Sequence, residues 1–405
     1  MHRTAFAFNL RTLAVAALVL MLAIMASAQS ERVIYSFTGG SDGGLPYGGV
    51  ISDANGNLYG TTFLGGANSA GTVFELTQNS GGVWTETVLY SFSFSSTDGA
   101  LPTSGLVFDA KGNLYGLTLS GGPSARGTIF ELSPGANGLW TEKILYSFAG
   151  GSDGSAPFTA SLALDSSGNL YGLTQDGGIY GFGTVFELVA GSNATWNKNI
   201  LHSFSGGNDG ANPYGEALTL DAAGNVYGTT PSAGLHDYGV IFELVRGANG
   251  NWTEKVLHAF AGASDGSASL GGLVFDASGN LYGNSLYSVF ELTPGSNGIW
   301  TEKVLHRFEG GRDGAYPSST LTFDGRGRLY GTTSAGGAHR GTVFKLTPGE
   351  NGTWTEGILH RFASTGGDGV FPGFAGLVVG ANGHLYGTTS QGGASNNGAV
   401  FEVIP

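Results

Sequence analysis

Apolar and aromatic residues along this chain come in short runs, and the runs come in sets of four. In one set, residues 106–108 (Leu-Val-Phe), 113–118 (Asn-Leu-Tyr-Gly-Leu-Thr), 127–132 (Gly-Thr-Ile-Phe-Glu-Leu) and 140–148 (Trp-Thr-Glu-Lys-Ile-Leu-Tyr-Ser-Phe) are separated by clusters of Gly, Asn, Asp and Pro. Runs of this length predict β-strands, because branched and aromatic side chains fit a pleated surface and the punctuating residues supply turns. No window holds an apolar period of 3.6 long enough to predict a helix.

The set repeats seven times. Leu58-Tyr59-Gly60 recurs at Leu114, Leu170, Val226, Leu281, Leu329 and Leu385, and successive tyrosines from Tyr59 to Tyr386 stand 56, 56, 56, 55, 48 and 56 residues apart. A unit of this size cannot bury its own apolar face and must stack on its copies. Four antiparallel strands per unit and seven units predict an all-β fold, a seven-bladed β-propeller over residues 29–405. The repeat starts with a lone fourth strand at residues 33–37 and finishes with a third strand at 400–403. The N-terminal strand is therefore expected to complete the last blade and close the ring, leaving only short edges. Gly, at 73 of 405 residues, would imply disorder in a non-periodic chain. Here the glycines fall at fixed repeat positions and read as turn residues.

Residues 1–28 stand outside the repeat. Arg3 and Arg11 precede an apolar run over residues 13–25, and Ala26-Ser27-Ala28 has the small side chains of a cleavage site before Gln29. This is the pattern of a secretory signal peptide, and the apolar run is short for a membrane span. A secreted or periplasmic protein with no membrane span after leader removal is expected. There is no Cys, so packing alone must stabilise it. Without the two leader arginines, 15 Lys and Arg face 30 Asp and Glu, a formal net charge of −15. Nucleic acid is excluded as a partner at that charge.

Val88-Leu89-Tyr90-Ser91-Phe92, Gly150-Gly151-Ser152-Asp153-Gly154, Asp109-Ala110-Lys111-Gly112-Asn113-Leu114-Tyr115-Gly116 and Gly71-Thr72-Val73-Phe74-Glu75-Leu76 together resemble the GloVer tandem repeat of bacterial extracellular proteins. The resemblance covers the chain after its leader. It implies export and a repeat scaffold, and it brings no catalytic residues to transfer. Members usually carry a C-terminal anchoring segment, whereas Pro405 follows directly on the last strand here, so surface attachment is not expected.

Repetition also governs the titratable residues. An Asp-Gly pair recurs in all seven connections between units, at Asp42, Asp98, Asp153, Asp209, Asp265, Asp313 and Asp368. Each reads as a local turn, with the Asp accepting backbone N–H bonds. A second series, Asp53, Asp109, Asp165, Asp221, Asp276 and Asp324, reads the same way, since Gly380 replaces it in the last copy. His202, His258, His306 and His360 take the place of Tyr35, Tyr90 and Tyr146 on fourth strands of different units. They cannot converge on one ion, so packing is their expected role, and neither a metal nor a cofactor is expected. The six Trp start fourth strands and are expected to pack between units, in room left by the Gly of Leu-Tyr-Gly.

A localised function should then lie where the units differ. With strands A to D in order, the D-to-A connections and B-to-C loops share one face, which carries the longer, more variable loops. Arg126, Asp176, Tyr180, His236, Asp237, Tyr238, His339, Arg340, Asn396 and Asn397 vary there. In the fifth unit this loop is nearly deleted, with Gly283 only 6 residues before Val289, which leaves a notch. Glu216 near the start of a strand A stands where the other copies have Gly, Ser or Ala. Glu216, His236, Asp237 and Tyr238 form the expected ligand patch, with Tyr238 as a stacking surface. The expected function is a monomeric, non-enzymatic scaffold presenting loops to a glycan, peptide or envelope component. The alternative is a propeller hydrolase or lyase acting on a carbohydrate or lactone at the channel mouth, with Glu216, Asp176, Asp237, His236 and His339 as its acid-base candidates.

Overall fold

The computed structural model describes residues 31–158, 161–191, 195–214, 218–262, 265–266, 271–365, 367–372 and 376–405. Residues 1–28, read as a leader, and Glu216 lie outside them.

The runs form the predicted strands, which assemble into seven antiparallel blade sheets, and short strands of the connections add to them, including a separate pair of Gly369–Val370 with Gln391–Gly392. The second blade is typical: Val107–Phe108 (A), Leu114–Gly121 (B), Thr128–Pro134 (C) and Trp140–Ser147 (D) pair in order from the centre outward. Strand A is short throughout, because little width is available near the axis of a ring. Strand D runs 8 residues in the first six blades and carries a register shift, as between Ile144 and Tyr146. A bulge of this kind raises the local twist and bends the outer strand around its blade. The last blade takes its fourth strand from the start of the chain. Glu31–Ser36 pairs with Ala399–Val403 in the register Glu31 to Val403 and Ser36 to Ala399, which closes the ring as expected.

The core is a circle of seams between blades. At each seam the Phe that ends one strand D meets the Phe of the next blade's strand C edge to face. The pairs are Phe37–Phe74, Phe92–Phe130, Phe148–Phe186, Phe204–Phe242, Phe260–Phe290, Phe308–Phe344 and Phe362–Phe401, with centroids 5.1 to 5.7 Å apart. This is the favoured geometry of two ring quadrupoles. Nearly all of these rings are fully buried.

The Gly of Leu-Tyr-Gly makes the arrangement possible. A Cβ on Gly172 would stand 2.5 Å from Cζ of Phe186, its cross-strand partner, and Gly60, Gly116 and Gly387 meet their own Phe the same way. The space thus belongs to a Phe of the same blade and not to the Trp of a neighbour. The Trp residues do pack between blades, on the preceding Leu-Tyr-Gly tyrosine: Tyr59–Trp140 at 6.3 Å, Tyr282–Trp354 at 6.1 Å and, across the ring closure, Trp84–Tyr386 at 5.9 Å.

Both Asp series are turn formers. Asp109 Oδ1 accepts the N–H groups of Lys111 and Asn113 at 2.8 and 2.9 Å, and its Oδ2 accepts from the Asn113 side chain. In the connections, Asp209 Oδ2 accepts the Ser205 N–H at 2.8 Å and lies 3.1 Å from His202 Nε2. The histidines pack as expected, edge-on against the Phe two residues later, at 4.8 Å for His202–Phe204.

One polar position resists this account. Glu142, third in its strand D, lies at a seam beside Asp98, and burial followed by that neighbouring charge pushes its carboxyl up to about 7. Glu86, Glu254, Glu302 and Glu356 repeat the situation, each pushed up to about 7 with burial as the first cause.

Two predictions follow from the ring and its seams. Deleting residues 31–36 removes a whole strand from the last blade, and a marked drop in melting temperature is expected; an unchanged value would contradict the observed closure. For Glu142, the folded state keeps a proton that the unfolded chain releases near its ordinary pKa of 4.5, so stability is lost as pH rises from about 4.5 to 7. Glu142→Gln should therefore match the wild type near pH 5 and melt above it at pH 8, checked by thermal denaturation across that range.

Candidate functional site

The B-to-C loops are built on a fixed base. The last residue of strand B and the first of strand C are usually Thr, and their buried hydroxyls bond across the neck of the loop, as for Thr62 with Thr72 and Thr174 with Thr184 at 2.8 Å. The loop returns through a Gly at positive φ. At Gly71 (φ +95) a Cβ would stand 2.4 Å from the Thr62 carbonyl oxygen and 2.5 Å from Cδ of Pro102 in the next connection, so no other residue fits there without strain.

The residue just before this Gly is the variable one, and its backbone is held. Its carbonyl accepts an N–H from the next D-to-A connection: Leu101 to Ala70 at 2.8 Å, Asn212 to Phe182 at 2.8 Å, Phe371 to Arg340 at 3.1 Å. The donors Leu45, Leu101, Ala156, Asn212 and Phe371, and Tyr316 at the same place in its own connection, have φ of 48 to 59° although none is Gly, and each precedes a Pro. A non-Gly residue in that region is strained. Repetition of the strain around the ring makes it part of how loops are locked to neighbouring blades. Side chains on this face therefore vary over a rigid backbone.

The structure puts His236, Asp237 and Tyr238 on consecutive exposed positions of the fourth-blade loop. Among the described residues, neither His236 nor the Asp237 carboxylate has a side-chain partner. Asp237 takes φ +64 and its N–H bonds the Gly234 carbonyl at 3.2 Å. Tyr238, 45% exposed, lies on the connection toward the fifth blade, where a Cβ on Gly262 would stand 2.9 Å from its Cε2. Phe182 does the same one blade earlier, over Gly206. The patch thus brings Tyr238 to the edge of the notch and leaves His236 and Asp237 pointing from the loop tip into solvent. Asp176 and His339 sit on the third and sixth blades, and among the described residues no hydrogen bond joins any two of these groups.

The notch is present. Strand B of the fifth blade ends at Asn284 and strand C begins at Ser288, and Ser285 Oγ and Ser288 Oγ close the neck at 2.7 Å. Two groups that the sequence reading passed over stand there. Tyr287 occupies the place of the loop Gly, since the Phe308 N–H bonds its carbonyl as the Phe92 N–H bonds that of Gly71. Its ring is 5.9 Å from that of Tyr316 in the next connection, with 42% and 43% of the two residues exposed. Aligning Tyr287-Ser288-Val289 with Gly71-Thr72-Val73 would have found Tyr287 as the one non-Gly at this position.

Between the inner strands lies a cavity of about 280 Å³, lined by glycines, by Val50, Leu106, Leu162 and Leu377, and by Thr320 and Thr322. No titratable side chain is among these lining residues. The described channel wall can hold apolar groups or water and offers no acid or base.

No protein of curated function matches the sequence. In fold the chain is similar to a streptogramin B lyase structure, with 13% identity, a TM-score of 0.56 and coverage of 93% of this chain and 97% of that one. It is likewise similar to virginiamycin B lyase from Staphylococcus aureus, with 13% identity, a TM-score of 0.54 and coverage of 93% and 98%. The extracellular domain of a putative hybrid two-component system from B. thetaiotaomicron matches at 10% identity and a TM-score of 0.55, over 92% of this chain and 39% of that one. Identities this low speak for the propeller fold alone. The Gloeobacter/Verrucomicrobia repeat matches residues 21–165, 136–289 and 287–405, so with its seven copies and seven matching blades the chain belongs to that repeat family.

Proposed function

We propose that this protein is an exported, non-enzymatic binding propeller whose loop face takes a glycan or peptide. The observation that carries the reading is where aromatic rings meet solvent. Phe94, Tyr180, Phe182, Tyr238, Tyr287 and Tyr316 are the exposed aromatic side chains among the described residues, and all six stand on loops or connections of one face. The opposite face exposes single aliphatic residues of separate turns, Val83, Leu139 and Ile299.

Rings left in water cost hydration free energy, and a cluster of them on rigid loops marks a recognition surface. Tyr combines an apolar ring face with a hydroxyl, which suits a sugar ring or a peptide equally and loses little entropy on binding. The third to sixth blades carry five of the six rings, and the notch lies among them. Arg126 and Arg340 add cationic edges on the same face, the latter with its guanidinium 5.5 Å from the Phe371 ring. Export is supported by the charged, apolar and small-residue order of residues 1–28. The lyase activity named for the solved relatives is not carried over at 13% identity.

Binding is tested by screening a glycan array and a peptide library with the wild type, with a Tyr238→Ala, Tyr287→Ala double variant, and with Glu216→Ala. A ligand held by the wild type should bind at least tenfold more weakly to the double variant, about 1.4 kcal/mol. Equal binding by wild type and double variant, or no binding by either, removes the assignment of this face. Turnover of a bound sugar by the wild type, lost in Glu216→Ala, would favour the hydrolase or lyase reading. Export is tested by mass spectrometry of protein released from the producing cell, expected to begin near Gln29; recovery only of chains that retain Met1 would count against it.

A further inference from the structure

The outer rim of every seam brings together the same three positions. One is the Tyr or His of a strand D, the second is the Asp of the connection that follows it, and the third is the third residue of the next strand D. That third residue is Glu in six seams and Lys198 in the seventh. Glu31, Glu86, Glu142, Glu254, Glu302 and Glu356 all have Oε1 buried and without a hydrogen-bond partner among the described residues. A buried, unpaired carboxylate oxygen is costly, and one such group per seam calls for an explanation.

Lys198 shows what the rim accepts. Its side chain is only 2% exposed, and its ammonium lies 2.9 Å from Asp153 Oδ1 and also bonds the Asp153 carbonyl. The rings of Tyr146, Phe148 and Phe186 surround it with centroids 5.0 to 5.4 Å away. A positive charge has partners at this position, a carboxylate, a carbonyl and ring faces, although burial holds the Lys198 ammonium below its ordinary range. In the other six seams the position carries a carboxylate instead, and a cation placed there would have to come from solution.

The ring-closing seam has the donors to bind one. His360 Nε2 lies 3.2 Å from Asp368 Oδ2 and 3.8 Å from Glu31 Oε2. One ligand atom from each of the three residues lies within 4.8 Å of the other two, and among the described residues no other seam brings such a set so close. Tetrahedral ligands at about 2.1 Å from an ion stand about 3.4 Å apart, between the two observed separations. The Glu31 side chain is nine-tenths buried, at 10% exposed, and among the described residues both its Oε1 and Asp368 Oδ1 are buried with no hydrogen-bond partner. Among the described residues the turn role of Asp368 is carried by Oδ2, which accepts the Ala363 N–H at 2.8 Å.

We propose that the seam between the sixth blade and the N-terminal strand is a binding site for a divalent cation of the zinc class, held by Glu31, His360 Nε2 and Asp368. One imidazole and two carboxylates suit zinc or a similar transition ion. Calcium prefers six to eight oxygen ligands, more than this seam offers. The ion would sit among His360 Nε2 and the Glu31 and Asp368 carboxylates, whose Oε2 and Oδ2 lie nearest that nitrogen, and so links residue 31 to residues 360 and 368. It thus joins the strand that closes the ring to the blade beside it, and binding to the folded state alone stabilises that state.

The test is made on the full-length chain after dialysis against chelator. Zinc chloride is titrated calorimetrically and melting temperature is followed with and without zinc, with calcium chloride as control. Two variants copy residues that other seams already carry, so the fold has precedent for both: His360→Tyr, after Tyr146, and Glu31→Lys, after Lys198. Zinc should raise the wild-type melting temperature by several degrees, and either variant should lose the shift. Absence of a zinc response in the wild type, or the full response in both variants, overturns the site. An equal response to calcium overturns the assignment to the zinc class.

Discussion

The structure depends on one repeated contact, the edge-to-face Phe pair that joins the end of each strand D to strand C of the next blade. The pair occurs at all seven seams within a spread of 0.6 Å in centroid distance, from 5.1 to 5.7 Å. A single blade is a twisted four-stranded sheet with two apolar faces and no core of its own. The Phe pair lets one blade cover the next, and the circle lets the last cover the first. Without Cys, the chain ends are held together by this packing, by the strand pairing at Glu31–Ser36 and by the ion pair of Arg32 with Glu402 at 2.6 Å.

Other features answer to that contact. Gly172 and its equivalents are Gly because the Phe ring lies where a Cβ would be. A Trp starts six of the seven strands D, and Trp84, Trp140 and Trp354 fill the other end of the seam against the tyrosine of the preceding blade. In five connections a Pro lies on the loop Gly of the previous blade, as Pro102 does on Gly71, and so fixes the loop face to the same frame. A frame determined this fully tolerates change only where side chains leave it. Two places remain, the loop tips on one face and the outer rim of the seams.

These two places carry the two kinds of chemistry proposed. The loop tips differ from blade to blade, which suits recognition of a ligand with no sevenfold symmetry. The rim is nearly uniform, and its departures are informative for that reason: Lys198 supplies a charge where six seams carry an unpaired carboxyl oxygen, and His360 stands between two carboxylates at the seam that must also close the ring.

The sequence by itself determined the repeat, the number of blades, the strand order, the closing role of the first strand and the turn role of both Asp series. All of these rest on local periodicity and on short-range backbone chemistry, which a chain displays residue by residue. It also located the notch, because a deletion is visible in any alignment of the copies. Only the tertiary structure decided what meets what across a seam. The partner of the repeated Gly is Phe and not Trp, since cross-strand register, set by pairing, puts Phe186 opposite Gly172. The Tyr287–Tyr316 pair comes from two loops 29 residues apart that the ring brings together. Glu31, His360 and Asp368 meet only because the ends of the chain join, and no spacing within a single repeat can show a contact made between the first strand and the sixth blade.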